Sequence, residues 1–83
     1  MTELDHYAVF DVGDKVRLKK KIRNDGTFLG KEKGDILAEP GEEGYVSDVG
    51  TYLQTTYIYA VHFIEKGIVI GCRANELELI RKG

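Results

Sequence analysis

The chain has 83 residues, room for one domain with a modest core and too little for a deep catalytic cleft between lobes. An apolar share of 42% and a charged share of 31% exclude a disordered chain, and ten glycines beside one proline favour a turn-rich all-β fold. A formal net charge of −2 excludes non-specific nucleic-acid binding as the main task, because neutralising phosphates takes a cationic surface.

The opening "MTELDHYAVF" has neither a basic start nor an apolar centre, so it does not read as a secretory leader. No apolar run approaches the roughly 20 residues needed to cross a bilayer, and a cytoplasmic location is expected. Residues 1–6 are polar and predicted to be a flexible N-terminus, with residues 7–83 a single domain. After the Gly13-Asp14 turn, "DKVRLKKKI" (14–22) alternates: Val16, Leu18 and Ile22 point one way, Arg17, Lys19 and Lys21 the other. Period-two alternation predicts one half-buried strand across this run, with Lys20 the exception on its apolar side.

From Arg23 to Pro40 the periodicity fades and Gly26, Gly30, Gly34 and Pro40 punctuate the chain. The expectation is one long irregular excursion, pinned to the core by the pairs Phe28-Leu29 and Ile36-Leu37; loops of that length are usually functional or mobile. "PGEEGYVSDVG" (40–50) reads as a turn into a short strand, and "TTYIYAVHFIE" (55–65) as the strongest strand in the chain. In it Tyr59, Val61 and Phe63 share one face; Ile58, Ala60, His62 and Ile64 share the other. Lys66-Gly67 reverses the chain into "IVIGC" (68–72), Arg73 to Leu77 forms one helical turn, and "LELI" (77–80) a last strand. Five short strands, a long loop after the first and a single turn before the last resemble the SH3-like small barrel.

The candidate chemistry is sparse. "GTFLGK" (26–31) lacks the spacing of a phosphate loop, with three residues between its glycines and Glu32 after the lysine. His6 falls in the tail and His62 stands alone in a strand, so neither has the positioned partner that base catalysis needs. A single cysteine, Cys72, forms no internal disulfide and holds no metal unaided. Two readings stay open for it: a half-buried thiol closing a strand, or a thiolate lowered in pKa by Arg73 and able to touch a metal or a partner cysteine transiently. Arg17, Lys19, Lys21 and Arg23 are predicted to form a cationic stripe along one strand face, either a solvated surface offset by Glu42, Glu43 and Asp48 or a steering surface for an acidic partner. Asn24-Asp25-Gly26 is turn chemistry, with Asx side chains bonding their own backbone and glycine supplying positive φ. No nucleophile–base pair, paired carboxylates or metal cluster emerge from spacing, so no enzyme and no cofactor are expected.

Three phrases in series, "IRNDGTFLG", "GYVSDVGTYLQTTYIYAVHF" and "GCRANEL", carry a resemblance. In order and spacing they are similar to the NifZ family of nitrogen-fixation proteins, over roughly residues 10 to 80. The resemblance implies an accessory, chaperone-like role in maturing the nitrogenase molybdenum–iron protein while its P clusters are completed, without turnover of a substrate. Its recurring residues fall here on Arg23, Asn24, Asp25, Gly26, Thr27, Gly50, Gly71, Cys72, Arg73, Glu76 and Leu77. Leu29 stands where members usually carry proline. "GIVIGC" lacks the arginine common before this segment, and many members continue into a C-terminal extension.

With that role, the expected partner is the immature molybdenum–iron protein, together with other nitrogenase assembly factors, and neither a membrane nor nucleic acid. The expected contact set is Arg23, Asn24, Asp25, Gly26, Phe28, Leu29, Cys72, Arg73 and Glu76, with Arg17, Lys19 and Lys21 steering the approach. Two other readings remain. "PGEEGYV" resembles a phrase of KOW-like small barrels that bind RNA, and a small barrel also suits a scaffold subunit of an electron-transfer complex.

Overall fold

The computed structural model describes residues 8–26, 28–52 and 56–83, with the side chain of Tyr52 excepted. The expected flexible segment 1–6, its His6, and Thr27 lie outside the described residues.

Alternation holds where it is strongest. In β1 (Lys15–Leu18) Val16 and Leu18 are buried while Lys15 and Arg17 stay partly exposed. In β5 (Thr56–Phe63) the expected core face is the observed one: Tyr59, Val61 and Phe63 are buried. Between them in the sheet runs β4 (Glu43–Tyr52), longer than the short strand predicted, with a bulge between Val46 and Asp48. Gly44 pairs with Val16 on one side and sits under the next strand on the other: a Cβ there would lie 2.6 Å from the His62 carbonyl oxygen. That approach admits only glycine.

The predicted hairpin follows, with β5 reversing through Ile64–Gly67 into β6 (Ile68–Cys72). The predicted helical turn is a 3-10 turn, Ala74–Glu76, and it leads into β7 (Leu77–Arg81). The five-stranded antiparallel sheet has the order β6-β5-β4-β1-β7. The chain is all-β, as expected. The sheet is open, however: its terminal strands β6 and β7 do not pair, because the 3-10 turn carries the chain past the sheet's end instead of folding it back as a hairpin.

Two expectations are corrected. The run 14–22 is not one strand. It breaks after Leu18, where the Lys19 N–H donates to the Glu76 carbonyl at 2.8 Å and Leu18 exchanges hydrogen bonds with Gly41 and Glu42. Continuing the strand would place the Lys20 ammonium on the core face beside Leu18, and burying an unpaired charge costs far more than one ladder hydrogen bond returns. Nor is the stretch from Arg23 to Pro40 wholly irregular. It holds a two-stranded ribbon, β2 (Ile22–Arg23) against β3 (Ile36–Ala38), with Leu37 and Ala38 buried in the core.

Tyr59 ties the N-terminal segment to this core. Its ring meets Phe10 edge-on at 5.2 Å and its hydroxyl accepts a hydrogen bond from the Val9 N–H at 3.0 Å.

Candidate docking site

Asn24 builds the loop between β2 and β3. It is only 3% exposed, and its side chain works in both directions. The amide NH2 donates to the carbonyls of Phe28, Lys31 and Glu32, and the Oδ1 accepts from the N–H groups of Gly26 and Phe28. Its backbone completes the loop with bonds to Asp35 and Gly34. Gly26, at φ +103°, supplies the left-handed step that returns the chain toward Asn24. The "NDG" signal is therefore an Asx-centred loop closed by a distant partner strand. Of its apolar pair, Phe28 packs against the core, whereas Leu29 is 91% exposed.

This loop folds toward β6. Between the ribbon and the sheet lies an open cleft of about 610 Å³. Ile22 and Arg23 line it from β2, Asp25 and Phe28 from the loop, Leu37 from β3 and Ile58 from β5. Val69, Ile70 and Gly71 line it from β6, and Arg73 and Glu76 close the end at the 3-10 turn. Two phrases that are nearly fifty residues apart in sequence thus share one surface. The apolar floor of Ile22, Leu37, Ile58, Val69 and Ile70 was not legible as a site, because nothing in a strand's period marks which of its residues border a gap.

The rim carries two arginines, Arg23 and Arg73, and two carboxylates, Asp25 and Glu76. Arg23 donates to the Gly34 carbonyl at 2.9 Å, a neutral partner. Arg73 makes no side-chain hydrogen bond or ion pair among the described residues. The Glu76 carboxylate is directed at the Arg73 backbone, accepting its N–H at 2.8 Å, which fixes the 3-10 turn. Lys19 and Lys21 are exposed on the link between β1 and β2, which runs from Glu76 to Ile22 beside the cleft.

Other expected site residues are placed differently. Arg17 is held by Glu78 at 3.1 Å and Glu43 at 3.9 Å, and the Glu78 hydrogen bond raises its pKa above the ordinary guanidinium value. The predicted stripe is thus not one strand face: Arg17 lies on β1, Lys19 and Lys21 on the link, Arg23 on β2. Cys72 is 1% exposed in the core, and burial, with Glu76 nearby, pushes its thiol up to about 12. This is the opposite direction from an activated thiolate. Asn24 and Cys72 border the surface from inside and do not present side chains on it.

A second cleft, of about 540 Å³, lies beside the β5–β6 turn. Its lysines are taken, Lys15 by Glu43 at 3.3 Å and Lys66 by Glu42 at 3.2 Å. Sequence reasoning missed Asp14, a buried carboxylate between the turn before β1 and the residues after β7. It accepts from the Asp11 and Gly83 N–H groups and from the Lys82 ammonium. The Asp11 bond above all lowers its pKa below the ordinary carboxylate value, against a burial penalty. The "DVGD" spacing of an Asx-type turn was the available signal.

The fold and the cleft define a small all-β domain with two arginines on the rim of one open cleft. A model of the NifZ domain matches residues 7–79. The chain is 53% identical over 70 residues to the protein NifZ of Azotobacter vinelandii, covering 84% of this chain and 44% of that protein. It is 52% identical over 75 residues to a putative NifZ protein of Sinorhizobium fredii, covering 90% and 69%. With the probable NifZ protein of Rhodobacter capsulatus the identity is 49% over 69 residues, covering 83% and 88%. No solved structure matches the chain. The chain belongs to the NifZ family, as its three phrases led us to expect, and it spans less than half the length of the Azotobacter relative.

Proposed function

We propose that this chain is a cytoplasmic accessory protein of nitrogen fixation, without catalytic turnover, that docks transiently on the immature nitrogenase molybdenum–iron protein and assists completion of its P clusters. Family membership supports the setting, and one observation carries the docking: the family's first and third phrases converge on a single open cleft. A cleft with an apolar floor and two arginines on its rim suits a protein surface better than a small substrate. The domain can offer about 500–800 Å² per side, the range of a transient interface. The meander β4-β5-β6, with β1 and β7 following, supports an SH3-like reading of the domain, left open at one seam. No helix among the described residues is long and apolar enough to cross a membrane.

The test is capture of the cluster-deficient molybdenum–iron protein by the immobilised chain. Arg23→Ala combined with Arg73→Ala is expected to lower capture at least tenfold with the thermal melt unchanged. Equal capture by that variant would show that the cleft is not the docking surface.

A further inference from the structure

The edges of the five-stranded sheet are unlike one another. β7 is defended by charge, with Glu78 and Arg81 along it, which is how natural sheets discourage unwanted pairing. β6 reads "IVIGC", with no charge and no proline, and among the described residues no strand lies on its outer side. Val69 on it is 48% exposed. An undefended apolar edge invites edge-to-edge association unless it is reserved for a partner.

The space beside this edge is the cleft described above, and its charge states what fits there. Among the described residues Arg73, at the C-terminal end of β6, makes no side-chain pair; Arg23 lines the same cleft from the ribbon, and exposed Lys19 and Lys21 lie on the adjoining link. Against them stand the carboxylates of Asp25 and Glu76, the latter accepting the Arg73 backbone N–H, so the positive excess beside the edge is carried by Lys19 and Lys21. With both carboxylates counted, the four cations still outnumber the acids at this edge of a chain whose net charge is −2, and the edge is complementary to acid.

We propose that β6 accepts an extended acidic segment of a partner protein as a sixth strand, with a carboxylate of that segment on the Arg73 guanidinium. The proposal rests on the docking reading of the cleft and names what enters it. The added strand lies about 4.8 Å from β6, where main-chain hydrogen bonds supply affinity. Alternate side chains face opposite ways, so apolar residues on the core side meet Phe28 and Leu37, while acidic ones on the side of Val69 and Gly71 reach Arg73.

The experiment is a titration of the isotopically labelled chain with (Val-Glu)4, with (Val-Lys)4 and an alternately N-methylated (Val-Glu)4 as controls, read by amide NMR. Shifts and slowed hydrogen exchange are expected at Val69, Ile70 and Gly71 with (Val-Glu)4 alone. Arg73→Glu should weaken binding at least tenfold, and Arg73→Lys should retain most of it. The proposal is overturned by no response at β6 at millimolar peptide, by equal binding of either control, by indifference to Arg73→Glu, or by a concentration-dependent dimer that pairs through β6. A Val69→Glu variant in the capture experiment separates the two readings. If it captures the molybdenum–iron protein as well as the unmodified chain, the edge proposal fails and the docking reading stands. If the unmodified chain captures nothing yet (Val-Glu)4 occupies β6, the docking reading fails and the edge serves a different acidic segment.

Discussion

Asn24 is the residue on which the candidate site depends, through structure and not contact. Five hydrogen bonds leave its side chain, and each closes a backbone group of the loop that no strand could satisfy. Asn24→Ala should therefore destabilise the chain by about 2–3 kcal/mol, since several buried groups lose partners at once. Urea unfolding measures this, and faster amide exchange at Gly26 and Phe28 should accompany it; an unchanged midpoint would mean the loop holds itself. Cys72 is inert for a related reason. A thiol raised to about 12 is neutral at any physiological pH, and it is buried besides. Thiol reagents should leave it unlabelled in the folded chain at pH 8 and label it readily in denaturant. Because its folded pKa lies above its unfolded value of about 8.5, its contribution to stability is complete below that value. The contribution is lost as pH rises from there toward 12. Cys72→Ala should flatten that alkaline decline, and a decline of the same slope would reject the assignment.

At the scale of elements, the turn before β1 is joined to the residues after β7 by charge. Asp14 immediately precedes β1, and its carboxylate accepts from Asp11 in the preceding turn and from Lys82 and Gly83 beyond β7. Its pKa is lowered in the fold, so the stability it gives is present above the unfolded value of about 4 and is lost as pH falls below it. Asp14→Asn should be less stable at pH 7, by about 1–2 kcal/mol for the lost charge-assisted bonds. It should also lose less stability between pH 5 and pH 3 than the unmodified chain. Parallel acid-denaturation curves for the two proteins would contradict this. The ion pairs of Arg17 with Glu43 and Glu78 span three neighbouring strands, but all three side chains are substantially exposed, so they contribute alignment more than energy.

Over the whole molecule, β1 is the hinge of the design. It is four residues long, yet it pairs with β4 on one side and with β7, some sixty residues later in the chain, on the other. β7 brings Leu77 into the core and covers an edge that β1 is too short to defend. Removing residues 77–83 should abolish cooperative unfolding, with a sloping melt in place of a sigmoidal one; a truncated chain that melts sharply would show that β7 only decorates the sheet. The same long-range pairing explains why the site was only partly readable. The "NDG" loop and the "GCR" segment each stood out locally, one by turn chemistry and one by family likeness. That they face each other depends on the ribbon folding over β6, a distance no local pattern encodes.

The sequence by itself determined the all-β character, the core face of β5, the hairpin at Gly67, the turn before the last strand and the family. All of these rest on period-two burial, on turn residues or on phrases a few residues long. Only the tertiary structure decided the rest. It broke the 14–22 run after Leu18, because a core face cannot take Lys20, and paired β2 with a strand thirteen residues away. It buried Asn24 and Cys72, left the sheet unclosed, and set Arg23 and Arg73 around one cleft. Those outcomes turn on which surfaces meet, and contact between distant segments is settled by packing and desolvation across the fold.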